Sequence, residues 1–249
     1  MKSNHFSRCC AVLLFVALFI GFSASSQAQV TNLSNGGSIN FSSLVGPSGY
    51  AVQIGDKLFD DFSFQYVDTD LNMGDDLPAS ALVLSSLSNG VGFGVSIQLP
   101  LVATGITIKD VTLQFTATAL DPNQKISDVH LTFVGTASGN GISEVSESIF
   151  TNNFGIGNIA NLSVTRTASG FTPGSGEDVA VLSQAQGKIW IQKDVFVSGN
   201  PTAIPDGNSP SDFASLTIIN QTFSQIPEPS TMALAVAGLA SFLFIRRRK

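Results

Sequence analysis

Apolar and polar residues alternate along most of this chain. From Val91 to Leu99, the residues Val91, Phe93, Val95, Ile97 and Leu99 fall on one side of an extended strand. Gly92, Gly94, Ser96 and Gln98 fall on the other. Val111, Leu113, Phe115 and Ala117 repeat the pattern against Thr112, Gln114, Thr116 and Thr118. Val129, Leu131 and Phe133 do so with His130 and Thr132 facing out, and Phe62, Phe64 and Tyr66 form another apolar face. Fainter alternation marks strands over 38–44, 50–54, 81–87, 143–149, 161–167, 178–182, 188–192, 195–198 and 215–223, after a polar lead-in over 30–38. Turn signals separate them: Gly46-Pro47-Ser48-Gly49, Asp121-Pro122-Asn123, Ser138-Gly139-Asn140-Gly141 and Pro173-Gly174-Ser175-Gly176. No helical period interrupts this body. About a dozen short strands predict an all-β, antiparallel β-sandwich, jelly-roll-like or of a related strand order. Of the 19 phenylalanines, the 13 within residues 29–225 suit its core, because each can bury a large ring that demands no polar partner.

The two ends follow other rules. Lys2 and Arg8, the apolar run from Ala11 to Phe22 and the small residues of Ser26-Gln27-Ala28 have the order of a secretory signal. That predicts a signal peptide over 1–28, export by the Sec machinery, and signal-peptidase cleavage between Ala28 and Gln29. Cys9 and Cys10, the two cysteines of the sequence, would leave with it, so disulfides and thiol chemistry are not expected.

At the other end, Pro227-Glu228-Pro229 leads through Ser230-Thr231 into an uncharged apolar run to Ile245, followed by Arg246, Arg247, Arg248 and Lys249. The prolines lack backbone donors and hold their segment extended. A single C-terminal transmembrane helix is predicted over 231–245. At about 1.5 Å per residue it is short against a hydrocarbon core of about 30 Å, and long basic side chains reach the headgroups by snorkelling. Four cations directly after the span keep that end cytoplasmic. The expected precursor therefore crosses the inner membrane with its C-terminus in the cytoplasm and the 29–225 ectodomain outside.

This order of Pro-Glu-Pro, short apolar helix and basic end resembles the PEP-CTERM sorting signal of Gram-negative bacteria, here over 226–249. The resemblance implies processing by exosortase, a membrane-embedded cysteine transpeptidase of organisms that secrete exopolysaccharide. It also implies that Pro227, Glu228 and Pro229 are the recognition element. A Leu-Pro-x-Thr-Gly sortase signal is absent. The body resembles a recurring PEP-CTERM ectodomain in its segments from Ile54 to Phe62, from Ile126 to Gly135 and from Phe223 to Gln225. That resemblance implies a β-rich surface domain and brings no catalytic residues.

Charge narrows the function. Every acidic residue lies between Asp56 and Glu228, a span holding only Lys57, Lys109, Lys125, Arg166, Lys188 and Lys193 as bases. An acidic domain disfavours nucleic acid, whose phosphates require a basic face. His130, the single histidine after the signal, is expected on a solvated face. It lacks companions for a zinc site and a nucleophile elbow for a triad. Asp60-Asp61 and the pair Glu144 and Glu147 supply carboxylates for glycoside hydrolysis, although solvated strand positions explain them as well. The loop Asp68-Thr69-Asp70-Leu71-Asn72-Met73-Gly74-Asp75-Asp76 spaces Asp68, Asp70, Asn72, Asp75 and Asp76 as oxygen ligands for calcium, outside the EF-hand pattern.

The leading expectation is a non-enzymatic cell-surface or matrix protein, structural or adhesive in an exopolysaccharide biofilm. A carbohydrate-binding module is the second, with Trp190 and Tyr66 as candidate stacking aromatics for extracellular polysaccharide. A secreted glycosidase is the third.

Overall fold

The computed structural model describes residues 29–33, 36–46, 49–68, 77–90, 92–200 and 212–227. The signal peptide, most of the acidic loop and everything after Pro227, including the predicted membrane helix, lie outside them. No helix among the described residues is long and apolar enough to cross a membrane.

Within them the alternation becomes fourteen strands: β1 (Val30–Asn32), β2 (Ser38–Asn40), β3 (Ala51–Ile54), β4 (Lys57–Asp68), β5 (Val83–Ser88), β6 (Phe93–Thr104), β7 (Ile108–Ala119), β8 (Gln124–Ser138), β9 (Ile142–Asn153), β10 (Ile156–Thr167), β11 (Gly170–Thr172), β12 (Glu177–Gln186), β13 (Lys188–Ser198) and β14 (Phe213–Pro227). They form two sheets. One has the order β1-β3-β4-β7-β13-β9-β10-β11, the other β12-β8-β14-β6-β5-β2. The inner faces meet in one core, with Val111, Leu113, Phe115 and Ala117 of β7 facing Val95, Ile97 and Leu99 of β6 and Val129 and Leu131 of β8; all are fully buried. Rings knit the layers together. Phe59 of β4 lies 5.8 Å from Phe223 of β14 across the layers, and within the larger sheet Phe62 of β4 stacks 5.7 Å from Phe115 of β7.

Three local expectations change. The lead-in contains a strand: β1 runs parallel to β3, the one parallel pair in an otherwise antiparallel set, and buried Leu33 pins its end. The strand expected over 38–44 stops at Asn40. The Asn40 side chain accepts from the Ser42 backbone N–H (3.0 Å) and turns the chain into a 3-10 helix, Phe41–Ser43. In β4 the pairing with β7 slips between Asp60 and Ser63, and Asp61 takes a φ of 56°. This bulge lets Phe59 and Phe62, three residues apart, both point inward, which strict period 2 forbids.

Candidate functional site

The outer face of the larger sheet is a polar plane. Ser63, Gln114, Gln192, Ser148 and Asn161 lie side by side across β4, β7, β13, β9 and β10. Ser63 Oγ donates to Gln114 Oε1 (3.0 Å), Gln114 Nε2 to Gln192 Oε1 (2.9 Å), and Ser148 Oγ to Asn161 Oδ1 (3.0 Å). On the next rung Trp190 stands between Thr116 and Phe150 and is half-buried. The Lys188 ammonium lies 4.9 Å from the Trp190 ring centroid and 3.2 Å from Asp61 Oδ2. Tyr66, the other candidate aromatic, pairs with Val111 and packs against the core. Its hydroxyl donates to Asp68 Oδ2 (2.8 Å), and burial, then that hydrogen bond, raises its pKa. Like Trp190 it is half-buried, with the Lys109 ammonium 6.0 Å from its ring centroid.

The carboxylate candidates separate. Three residues apart on β9, Glu144 and Glu147 point to opposite faces. Glu144 accepts from Ser163 Oγ (3.1 Å) on the outside. The expectation of a solvated Glu147 is overturned: its side chain is fully buried between the sheets. There it meets Lys193, its direct partner on β13, in an ion pair, and its Oε1 accepts from Gln221 Nε2 of the facing sheet (2.6 Å). Burial drives the Lys193 pKa down, against the opposing pull of Glu147. Asp60 and Asp61 sit on the bulge. Asp60 Oδ1 accepts from the Asp61 N–H (2.8 Å), while Asp61 pairs with Lys188. Neither pair presents two free carboxylates across a cleft.

His130 faces outward as expected, yet it is not merely solvated. Its Nδ1 lies 2.8 Å from Glu177 Oε1 and its Nε2 3.2 Å from Asp128 Oδ1. On the other sheet Asp110 shares a hydrogen bond with Asp194. Desolvation, then that carboxylate neighbour, lifts the Asp110 pKa to about 6. This pair escaped sequence reasoning, since it joins residues far apart in the chain across β7 and β13.

Of the calcium candidates, Asp68 is described; Asp70, Asn72, Asp75 and Asp76 lie outside the described residues. Asp68 Oδ2 is held by Lys109 Nζ at 2.6 Å. A cation there would have to displace that ammonium. Burial works to lower the Lys109 pKa, but bonding to Asp68 and Tyr66 outweighs it and raises it. Of the cleavage and topology residues, Gln29 precedes β1 and is exposed, whereas Ala28 and the cluster Arg246, Arg247, Arg248 and Lys249 lie outside. Pro227 ends β14 opposite Gln124, so the strand passes directly into Glu228 and Pro229, which are not described.

Residues 225–249 match the model of the PEP-CTERM protein-sorting motif. The chain carries a PEP-CTERM sorting motif. The motif marks an exported, surface-sorted protein, and its matched segment begins on the last strand of the sandwich. No curated protein matches the sequence. Among solved structures, similar folds include the carbohydrate-binding module TmCBM61 in complex with β-1,4-galactotriose (10% identity over 66% of this chain and 88% of that one, TM-score 0.28). Others are CBM32 of AlyQ in complex with 4,5-unsaturated mannuronic acid (13%, 51% and 76%, TM-score 0.20) and a family 11 module from Clostridium thermocellum in complex with a mixed-linked tetrasaccharide (14%, 65% and 89%, TM-score 0.21). At such scores the likeness carries no functional argument.

Proposed function

We propose that this is a non-enzymatic surface or matrix protein whose precursor is held in the inner membrane by its PEP-CTERM tail. An exosortase-like transpeptidase then trims or transfers it, leaving a sandwich that serves structurally or adhesively in exopolysaccharide. The motif at 225–249 carries this reading. An extended β14 ending at Pro227 supports it, because a processing enzyme must thread an extended substrate. The strand order β6-β14-β8-β12 over β7-β13-β9-β10 supports the jelly-roll form of the sandwich. Deleting Pro227–Pro229 in the host should leave unprocessed precursor in the membrane. Mass analysis of the wild-type chain should find ends near Gln29 and within residues 227–231. Unchanged processing of the deletion would overturn the reading.

A second reading, carbohydrate binding, is favoured by Trp190 and its neighbouring amide rung. Aromatic faces stack on sugar rings, while amides match hydroxyls as donors and acceptors. A bound ring would replace the exposed Lys188 ammonium over Trp190. Trp190→Ala should abolish retention on the host's polysaccharide; retention unchanged in that variant would remove the face from consideration.

A further inference from the structure

A pocket of about 480 Å³ opens at the end of the sandwich where the chain leaves for the sorting motif. Its volume lies within the roughly 300–1,000 Å³ of small-molecule sites. Asp56, Lys57, Phe93, Asp121, Gln124 and Gln225 line it. Lys57 is only 1% exposed, bonds Asp56 Oδ1 at 2.8 Å and sits 5.8 Å from the Phe93 ring centroid. Gln225 Nε2 is buried and has no hydrogen-bond partner among the described residues. An orphaned buried donor is costly unless something supplies an acceptor. The wall is shaped for the ring beside it: Gly55 has a φ of 58°, and a Cβ there would fall 2.5 Å from Phe93 Cγ.

We propose that this pocket binds a single neutral sugar residue. The lining offers an ammonium and amide N–H groups as donors, carboxylate and amide oxygens as acceptors, and one aromatic wall. That mixture suits vicinal hydroxyls, each of which both donates and accepts. The lining carries two carboxylates against one ammonium, so it repels uronates and other anions. The proposal deepens the carbohydrate-binding reading with a site separate from the Trp190 face. It also places the sugar beside Pro227, the first residue of the sorting element.

The test is saturation-transfer NMR on the full chain in a sugar-free detergent, with glucose, galactose, mannose and glucuronate as probes. At least one neutral hexose should show transfer, and glucuronate should not. Gln225→Leu and Asp121→Asn should each weaken the hexose by about tenfold, the loss expected for a polar contact in a desolvated site. Gln225→Leu removes an unpaired amide and so should not unfold the domain; Gln124→Ala on the rim is the second variant should it do so. Trp190→Ala should leave hexose binding intact while abolishing polysaccharide retention, which separates the pocket from the face. No transfer from any neutral hexose to the folded protein overturns the proposal. So does equal binding of glucuronate, or binding unchanged in the variants.

Discussion

Replacing Lys193 by Met tests the energetics of the core most directly. Lys193 and Glu147 are fully buried, directly opposed on β13 and β9, with Gln221 of the facing sheet as a third member. Removing the ammonium strands a carboxylate in the interior, which costs about 3–5 kcal/mol. Against a domain stability of about 5–15 kcal/mol, that is about a fifth of the total or more. Removing both charges should cost far less, because the desolvation of two ions is no longer carried. The double variant Lys193→Met with Glu147→Gln keeps an acceptor for Gln221 Nε2. It also offers an N–H to Gln221 Oε1, which has no hydrogen-bond partner among the described residues. Urea unfolding followed by circular dichroism should rank wild type and double variant close together, with the single variant well below. A single variant within about 1 kcal/mol of wild type would refute the claim that the pair is desolvated. A double variant no better than the single would refute the claim that the stranded charge is the cause.

Asp110→Asn should raise stability at neutral pH. The Asp110 pKa is raised to about 6 from 3.8, so its protonated form favours the fold at low pH. That contribution is full below about 3.8 and is lost as pH rises through 6. The gain in the variant, about 1 kcal/mol once solvent screening is allowed for, should appear in melting temperatures at pH 7 and vanish near pH 4. Gly55→Ala should cost about 1–3 kcal/mol in urea unfolding, since it combines a left-handed backbone with a clash against Phe93; a neutral result would mean that the wall moves freely. Phe115→Ala, which removes a fully buried ring touching both Phe59 and Phe62, should cost about 3–5 kcal/mol by the same assay.

Alternation alone made β6, β7 and β8 legible, because each turns a run of aliphatic and aromatic side chains to one layer and small polar ones to the other. It failed where chemistry and position disagree. The pattern splits β13 into 188–192 and 195–198, since Lys193 stands at an inward position and a charge there reads as a break. Glu147 misleads in the same way on β9, as the partner that makes its burial tolerable lies on another strand. The bulge at Asp60 and Asp61 hides the inward turn of Phe59 and Phe62, because a shift of one residue leaves no compositional mark. The sorting motif was fully legible, being a linear order of residue types. The end pocket was not: Asp56, Asp121 and Gln225 meet only once β8 has paired with β14 and the sheet that holds β4 has packed against theirs.

The last strand has a mechanical consequence. β14 lies between β8 and β6, antiparallel to both, and its C-terminal end is where the chain runs into the sorting motif. A protein tethered through that end and pulled by the matrix receives the load along β14 itself. The force runs parallel to the strand, so the hydrogen bonds of both ladders are loaded together in shear instead of being peeled one by one. Held by that end, the sandwich would meet a pull along β14 with both ladders at once.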